Sequence, residues 1–232
     1  MRLSVVIPTL NEEAYIGKCI KSIRTQTRQA DEVIVVDSGS SDDTVAIARG
    51  MGAIVVEGRR SIPFNRQRGV EVAAGDVVVT TDADCIHSRD WLERIERHFV
   101  DAGVVFVTGI TEPMPGESSV MDRACYFIGN SVMNVLHWFG EEWSRGSNSA
   151  YRRSVMLEAG GYDTRLLARE DSDLSKRMSG RGRFVFDWSI IVYTSMRRRE
   201  SMGWVKTVRY YIDTPIHFLT KKTYYRRVDD GM

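Results

Sequence analysis

Asp82 and Asp84 stand one residue apart at the end of an apolar run, in "VVVTTDADC". Carboxylates set that close repel each other unless a cation or a donor-rich ligand lies between them. On a strand, residues two apart face the same way, so both could converge on one hard ion, with Ala83 keeping the space small. Magnesium or manganese suits oxygen donors and is commonly shared with substrate phosphates. A solvated turn with helix-capping acids gives the same DxD pattern. Asp37 closes another run, "VIVVD", where it could accept a hydrogen bond from a uracil or guanine ring N–H, or hold an Asx turn. Glu12 follows a third, "SVVIPTLNEE", and as a first-turn helix acid it would also favour the helix dipole. Glu170 and Asp171, in "REDSDLSKRM", offer a carboxylate able to take a proton from an attacking hydroxyl, and equally read as the acidic start of a helix. Each structural reading is sound locally, but three acids at the ends of three apolar runs are harder to explain that way.

The elements that must position these acids follow from hydrophobic spacing. "LSVVIP", "DEVIVVDSGS", "AIVVEG", "DVVVTTDAD" and "GVVFVTGITE" read as buried strands. Between them lie helical stretches, the first with Ile16, Cys19, Ile20 and Ile23 at helical spacing and Asn11 as its expected N-cap. Ser88 is the expected cap of the helix in "SRDWLERIERHFV". Strands apolar on both faces, alternating with helices, predict an α/β fold: a mostly parallel sheet flanked by helices. Ligands of such sheets bind outside the carboxyl ends of the strands, where "PTLNEE", "DSGSSDDT" and "DADC" gather. Further on, Val120, Ala124, Ile128, Val132, Val135 and Phe139 predict a helix over 118–139, and "RFVFDWSIIVYTSM" supplies strand material.

The 232 residues suffice for one large domain with its own core. A net charge of +1 hides an asymmetry: from Arg197 onward the chain has nine Lys or Arg against four Asp or Glu. Three cysteines with no CxxC spacing argue against a zinc site or a disulfide framework and fit a reducing compartment. The N-terminal apolar run is cut short by Pro8, which predicts a first strand and not a signal peptide. No stretch reaches about 18 uninterrupted apolar residues, so no transmembrane helix is predicted. These features predict a cytoplasmic protein with no nucleic-acid partner.

Taken in order, "VVIPTLNEE", "VIVVDSGSSDDT", "NRQRGVEVAAGD", "VVVTTDADC", "GSNSAYRRSVMLEAGGYD" and "REDSDLSKRM" resemble the family 2 glycosyltransferases of the GT-A fold, over about Leu3 to Arg198. Each motif is loose alone; the ordered set is specific. The resemblance implies a Rossmann-like domain over 1–199, with a nucleotide-binding half at 1–112 and an acceptor half at 113–199. It implies a UDP- or GDP-sugar donor, inversion at the anomeric carbon, and Mg2+ or Mn2+. Carried across, Pro8, Thr9, Leu10 and Glu12 would line the base and ribose, and Asp37 would contact the base. Arg66 would lie near the nucleotide, although the Asn that usually follows is Gln67 here. Asp82 would approach ribose or metal, and Asp84 would ligate the metal. Gly146, Ser147 and Asn148 would floor the sugar site. Asp171 would be the base, with Glu170 beside it. The His that completes the metal site in many relatives is missing from "IVYTSMRRRE", where Arg197 and Arg198 could pair with phosphate oxygens instead.

The acceptor is open among a glycan, a lipid-linked group and a small molecule. Residues 200–232 form a basic extension in which Val205, Val208, Ile212, Ile216 and Leu219 repeat at helical spacing. It reads either as a helix docked on its own core or as an interfacial helix, peripheral at the inner face of the cell membrane. Two other classes share such an architecture: sugar-phosphate nucleotidyltransferases, whose Gly-rich phosphate loop "PTLNEE" lacks, and nucleotide-sugar-binding proteins without turnover.

Overall fold

The computed structural model describes residues 1–140 and 144–197; Arg198 and the 200–232 extension lie outside them. The chain runs β1 (Leu3–Thr9), α1 (Glu13–Arg24), β2 (Glu32–Asp37), α2 (Thr44–Gly50), β3 (Ile54–Glu57), α3 (Ile62–Val72), β4 (Val77–Thr80), β5 (Cys85–His87), α4 (Trp91–Phe99), β6 (Val104–Pro113), α5 (Val120–Trp138), β7 (Ser149–Arg152), α6 (Arg153–Glu158), α7 (Glu170–Met178) and β8 (Arg183–Thr194). All eight strands form one sheet, in the order β3-β2-β1-β4-β7-β6-β8-β5. The pairs β1–β2, β1–β4, β2–β3 and β6–β8 are parallel, whereas β7 is antiparallel to both β4 and β6, and β5 to β8.

Alternate side chains of the central strands feed two cores. On one face Val5, Ile7, Val33, Val35, Val77 and Val79 meet α1 and α4, whose Trp91, Leu92 and Ile95 are fully buried. On the other, Val6, Ile34, Val36 and Val78 meet Val70 of α3 and Leu174 and Met178 of α7. Strands covered on both faces read as unbroken apolar runs, which is why β1, β2, β4 and β6 were legible; β3, at the sheet edge, shows the same apolar run although it is only partly covered. The spacing in α1 holds too: Ile16, Cys19, Ile20 and Ile23 are its buried residues.

Several expectations are corrected. Asn11 is not the N-cap of α1; Glu12 takes that position, and Asn11 adopts a left-handed φ of 55° with its amide oxygen accepting from Ser41 N–H at 2.9 Å. Ser88 is not the cap of α4, which starts after Asp90. The helix in "NRQRGVEVAAG" begins earlier, at Ile62, with Ser61 as cap and Pro63 in the first turn. β4 ends at Thr80, so Asp82 and Asp84 sit in the following turn and not on the strand. The short β5 and β7 escaped the sequence reading. Helix α5 forms where predicted, but Val120, Ile128, Val135 and Phe139 of its apolar stripe are exposed.

Candidate active site

The chain runs from β1 outward to β2 and β3, then returns to β4 on the other side of β1, so the strand order reverses between β1 and β4. Such a reversal opens a crevice at the carboxyl ends of the strands. Thr9, Asp37 and the turn carrying Asp82 and Asp84 follow the ends of β1, β2 and β4. Because β7 is antiparallel, the loop before it, Gly146 to Asn148, reaches the same edge, and Arg197 follows β8 there.

The two turn aspartates do not face a common partner. Asp84 Oδ2 lies 3.0 Å from Arg197 Nε, while Asp82 Oδ1 lies 2.9 Å from Arg66 Nη2. Arginine therefore meets the repulsion that the sequence assigned to a metal. Arg197 also grips Glu12 with both terminal nitrogens, at 2.6 and 2.7 Å, and its guanidinium stands 4.9 Å from the Tyr15 ring centroid. The Glu12 pairing, against a partial burial cost and with help from Asp84, raises the Arg197 pKa and keeps the group charged.

Arg66 is buried, and its other terminal nitrogen pairs with Glu170. Burial opposes the Arg66 charge, yet the Asp82 and Glu170 carboxylates outweigh it and push its pKa up. Burial lifts Glu170 above the usual carboxylate range, with Arg66 pulling the other way. Arg66 thus ties α3 to the β4–β5 turn and to the start of α7. Gly146 lies directly over it: a Cβ there would fall 2.0 Å from the guanidinium nitrogens. The residue before Glu170, Arg169, is itself in the left-handed region at φ 64°, a conformation that non-glycine residues hold only when their surroundings enforce it.

Asp171 borders this ion cluster: its charge helps to keep Arg66 protonated and to lift Glu170. Its Oδ2 accepts from Gly146 N–H at 2.8 Å and its Oδ1 from Ser172 N–H at 2.9 Å. These two backbone donors fix the direction of the carboxylate, which a group receiving a proton in a defined geometry requires. Asp37 is spent on its own loop, accepting from Thr9 Oγ1, Gly39 N–H, Ser40 N–H and Ser40 Oγ. Asn148 lies beneath the site: fully buried, it accepts from Trp91 Nε1 and donates to the carbonyls of Ile110 and Ile190. Pro8, Leu10 and Ser147 are half-buried at the same edge. The Arg66–Glu170 pairing and the Tyr15 contact escaped the sequence reading, because nothing local announces partners 104 residues apart.

No group of three or more His, Cys, Asp or Glu forms a ready-made cage among the described residues. The donors nonetheless fit a magnesium- or manganese-type ion, which needs one or two carboxylates and takes its remaining ligands from phosphate and water. Asp84 already faces a cation, the Arg197 guanidinium.

Residues 4–160 match the family described as Glycosyl transferase family 2. The chain is 28% identical over 190 residues to glycosyltransferase AglE of Haloferax volcanii, covering 78% of this chain and 62% of the relative. It is 29% identical over 180 residues to the glucosyl-dolichyl phosphate glucuronosyltransferase of the same organism, covering 71% and 56%. It therefore spans about three-fifths of these relatives' length. A mannosyltransferase from Pyrobaculum calidifontis, solved with GDP-Man and Mn2+, superposes with a TM-score of 0.67 at 25% identity, over 83% of this chain and 56% of that one.

Proposed function

The chain belongs to glycosyl transferase family 2, and from that premise we propose that it transfers a sugar from a nucleoside-diphosphate sugar to an acceptor hydroxyl or lipid phosphate, with inversion. The observation that carries this reading is the presence, at one sheet edge, of a cation-holding carboxylate, Asp84, and a carboxylate oriented by backbone N–H groups, Asp171. The GDP-Man and Mn2+ bound by the Pyrobaculum mannosyltransferase support the same donor chemistry here.

A divalent ion on Asp84 would offset the charge that builds on the departing diphosphate. Arg197 would then leave Asp84 for phosphate oxygens, to which a guanidinium binds in fork geometry. Asp171 takes the proton of the acceptor hydroxyl as its oxygen bonds to the anomeric carbon. The bond from that carbon to the diphosphate breaks, and its electron pair leaves with the nucleoside diphosphate. A single displacement of this kind inverts the centre. Pro8, Thr9, Leu10, Glu12 and Asp37 would border the nucleoside, and Gly146 and Ser147 the sugar.

The test is a donor screen: the protein with manganese or magnesium, each UDP-, GDP- and dTDP-sugar, and a panel of acceptors. Nucleoside diphosphate release with one donor is expected. Pyrophosphate release from a nucleoside triphosphate and a sugar phosphate would instead reveal a nucleotidyltransferase, and tight nucleotide-sugar binding without release in any combination would reveal a binding protein.

A further inference from the structure

Helix α5 is turned opposite to the usual sense of an amphipathic helix. Its buried side consists of Asp122, Asn130, Met133 and Leu136. Asp122 completes a capping box with Ser119, and Asn130 bonds both the N–H and the carbonyl of Thr111. The exposed arc holds Val120, Met121, Phe127, Ile128, Trp138 and Phe139, with Val120 84%, Phe139 80% and Trp138 76% exposed. At 3.6 residues per turn these positions share one side of a helix of 19 residues, about 28 Å long. Trp188 of β8 widens the patch, its ring 5.9 Å from that of Phe127.

The neighbouring sequence indicates what covers this face. β8 ends beside α5, where the Tyr126 hydroxyl lies 3.0 Å from Thr194 Oγ1. From Arg197 onward the sequence carries nine Lys or Arg against four Asp or Glu, with Trp204, Tyr210, Tyr211, Tyr224 and Tyr225 among them. Among the described residues the charged side chain on the outer side of α5 is Arg123, and the acids flanking the helix in the sequence, Glu117, Glu141 and Glu142, are outnumbered by the nine Lys or Arg from Arg197 onward. An apolar, aromatic helix face, in a chain whose sequence also carries a basic and aromatic segment, matches the chemistry of an anionic lipid surface. Among the described residues no helix is long and apolar enough to cross a membrane, so the mode is lying on the surface and not spanning it.

We propose that α5 rests on an anionic membrane surface, with its outer side chains in the boundary between headgroups and acyl chains and the basic sequence beyond Arg197 adding attraction. The inner side of α5 leads to the catalytic edge: Arg145 contacts Met133 of α5, and the next residue, Gly146, donates to Asp171. Docking would therefore hold the catalytic edge about one helix diameter from the lipid plane, within reach of an acceptor carried on a lipid phosphate. Only this consequence rests on the transferase reading.

Flotation of the full chain with vesicles of phosphatidylcholine containing phosphatidylglycerol, against phosphatidylcholine alone, tests the proposal. Expected is at least tenfold tighter binding to the anionic vesicles, and a loss of tenfold or more in Phe127→Glu and Ile128→Glu, with UDP or GDP binding and circular dichroism unchanged. Phe127→Ser, milder at an exposed position, guards against a folding defect. A parent that does not float, or glutamate variants that float like the parent, would overturn the proposal. So would two other results in a non-floating parent: a dimer that Ile128→Glu splits, showing a second copy on the face, or a melting temperature lowered by Ile128→Glu, showing the chain's own extension there. Normal flotation with no nucleotide binding would strike the transferase reading alone.

Discussion

At the scale of single residues, Asp84 and Asp171 differ in what holds them, and their variants should fail differently. Asp84 meets a guanidinium at 3.0 Å, the partner that a metal-bound diphosphate would displace. Asp84→Ala is expected to abolish the manganese-dependent part of nucleoside diphosphate binding in calorimetry and leave the unfolding curve nearly unchanged. Equal manganese enhancement in parent and variant would remove Asp84 from the metal site. Asp171 is held by two backbone N–H groups, so Asp171→Asn keeps a similar shape and loses the proton acceptor. Turnover with a hydroxyl acceptor should fall roughly 10²- to 10⁴-fold with donor affinity little changed. Full activity across the pH range would exclude the base role and point to a phosphate acceptor, which needs no strong base. Asp84 was legible because buried parallel strands are apolar throughout, so a polar residue just past their ends stands out; Asp171, in the first turn of α7, was assigned the base role only through the resemblance to the family's motifs. Asp82 was legible as an acid past a strand end but not as Arg66's partner, since a DxD pair does not say which cation each carboxylate meets.

At the scale of elements, Arg66 joins α3, the β4–β5 turn and α7 through Asp82 and Glu170. Removing one member of a buried ion cluster strands the others and typically costs about 3–5 kcal/mol. Arg66→Met should therefore lower the melting temperature by roughly 10 °C in a domain of this size, and Arg66→Met/Glu170→Gln should recover part of the loss by removing the stranded buried charge. A double variant no more stable than the single would show that Glu170 does not depend on Arg66. Sequence spacing revealed α3 and α7 but not their connection, because hydrophobic period reports which side of a helix is apolar and nothing about a partner. The same limit explains α5. The spacing of its apolar stripe predicts the helix but not which way the stripe faces, and Asp122 and Asn130 find hydrogen bonds on the inner side. β7 went unread because "SAYR" is four residues between a turn and the start of α6, too short to show a strand period.

At the scale of the whole molecule, the edge strand β5 is tied to the rest of the fold by a group that tolerates only one protonation state. His87, on β5, is buried with Nδ1 2.8 Å from Ser22 Oγ and Nε2 2.8 Å from Thr81 Oγ1, and its ring stacks 4.1 Å from Trp91. It links α1, the end of β4 and α4 through neutral hydroxyls. Burial alone pushes its pKa down to about 3, from an ordinary 6.5. Between those values the unfolded chain binds a proton that the folded chain refuses. Stability is therefore complete above the unfolded pKa and is lost as pH falls toward the folded one. The slope approaches about 1.4 kcal/mol per pH unit, so lowering the pH from 7 to 5 should cost roughly 2 kcal/mol through this residue. Urea unfolding of the parent and of His87→Gln at both pH values isolates the term, because carboxylate contributions are common to the two proteins. The variant should be less stable at pH 7, where the imidazole's two hydrogen bonds and ring contact are lost, yet less sensitive to acid. Parallel stability curves would mean that His87 titrates alike in both states and that the acid sensitivity of the fold resides in its carboxylate–arginine pairs.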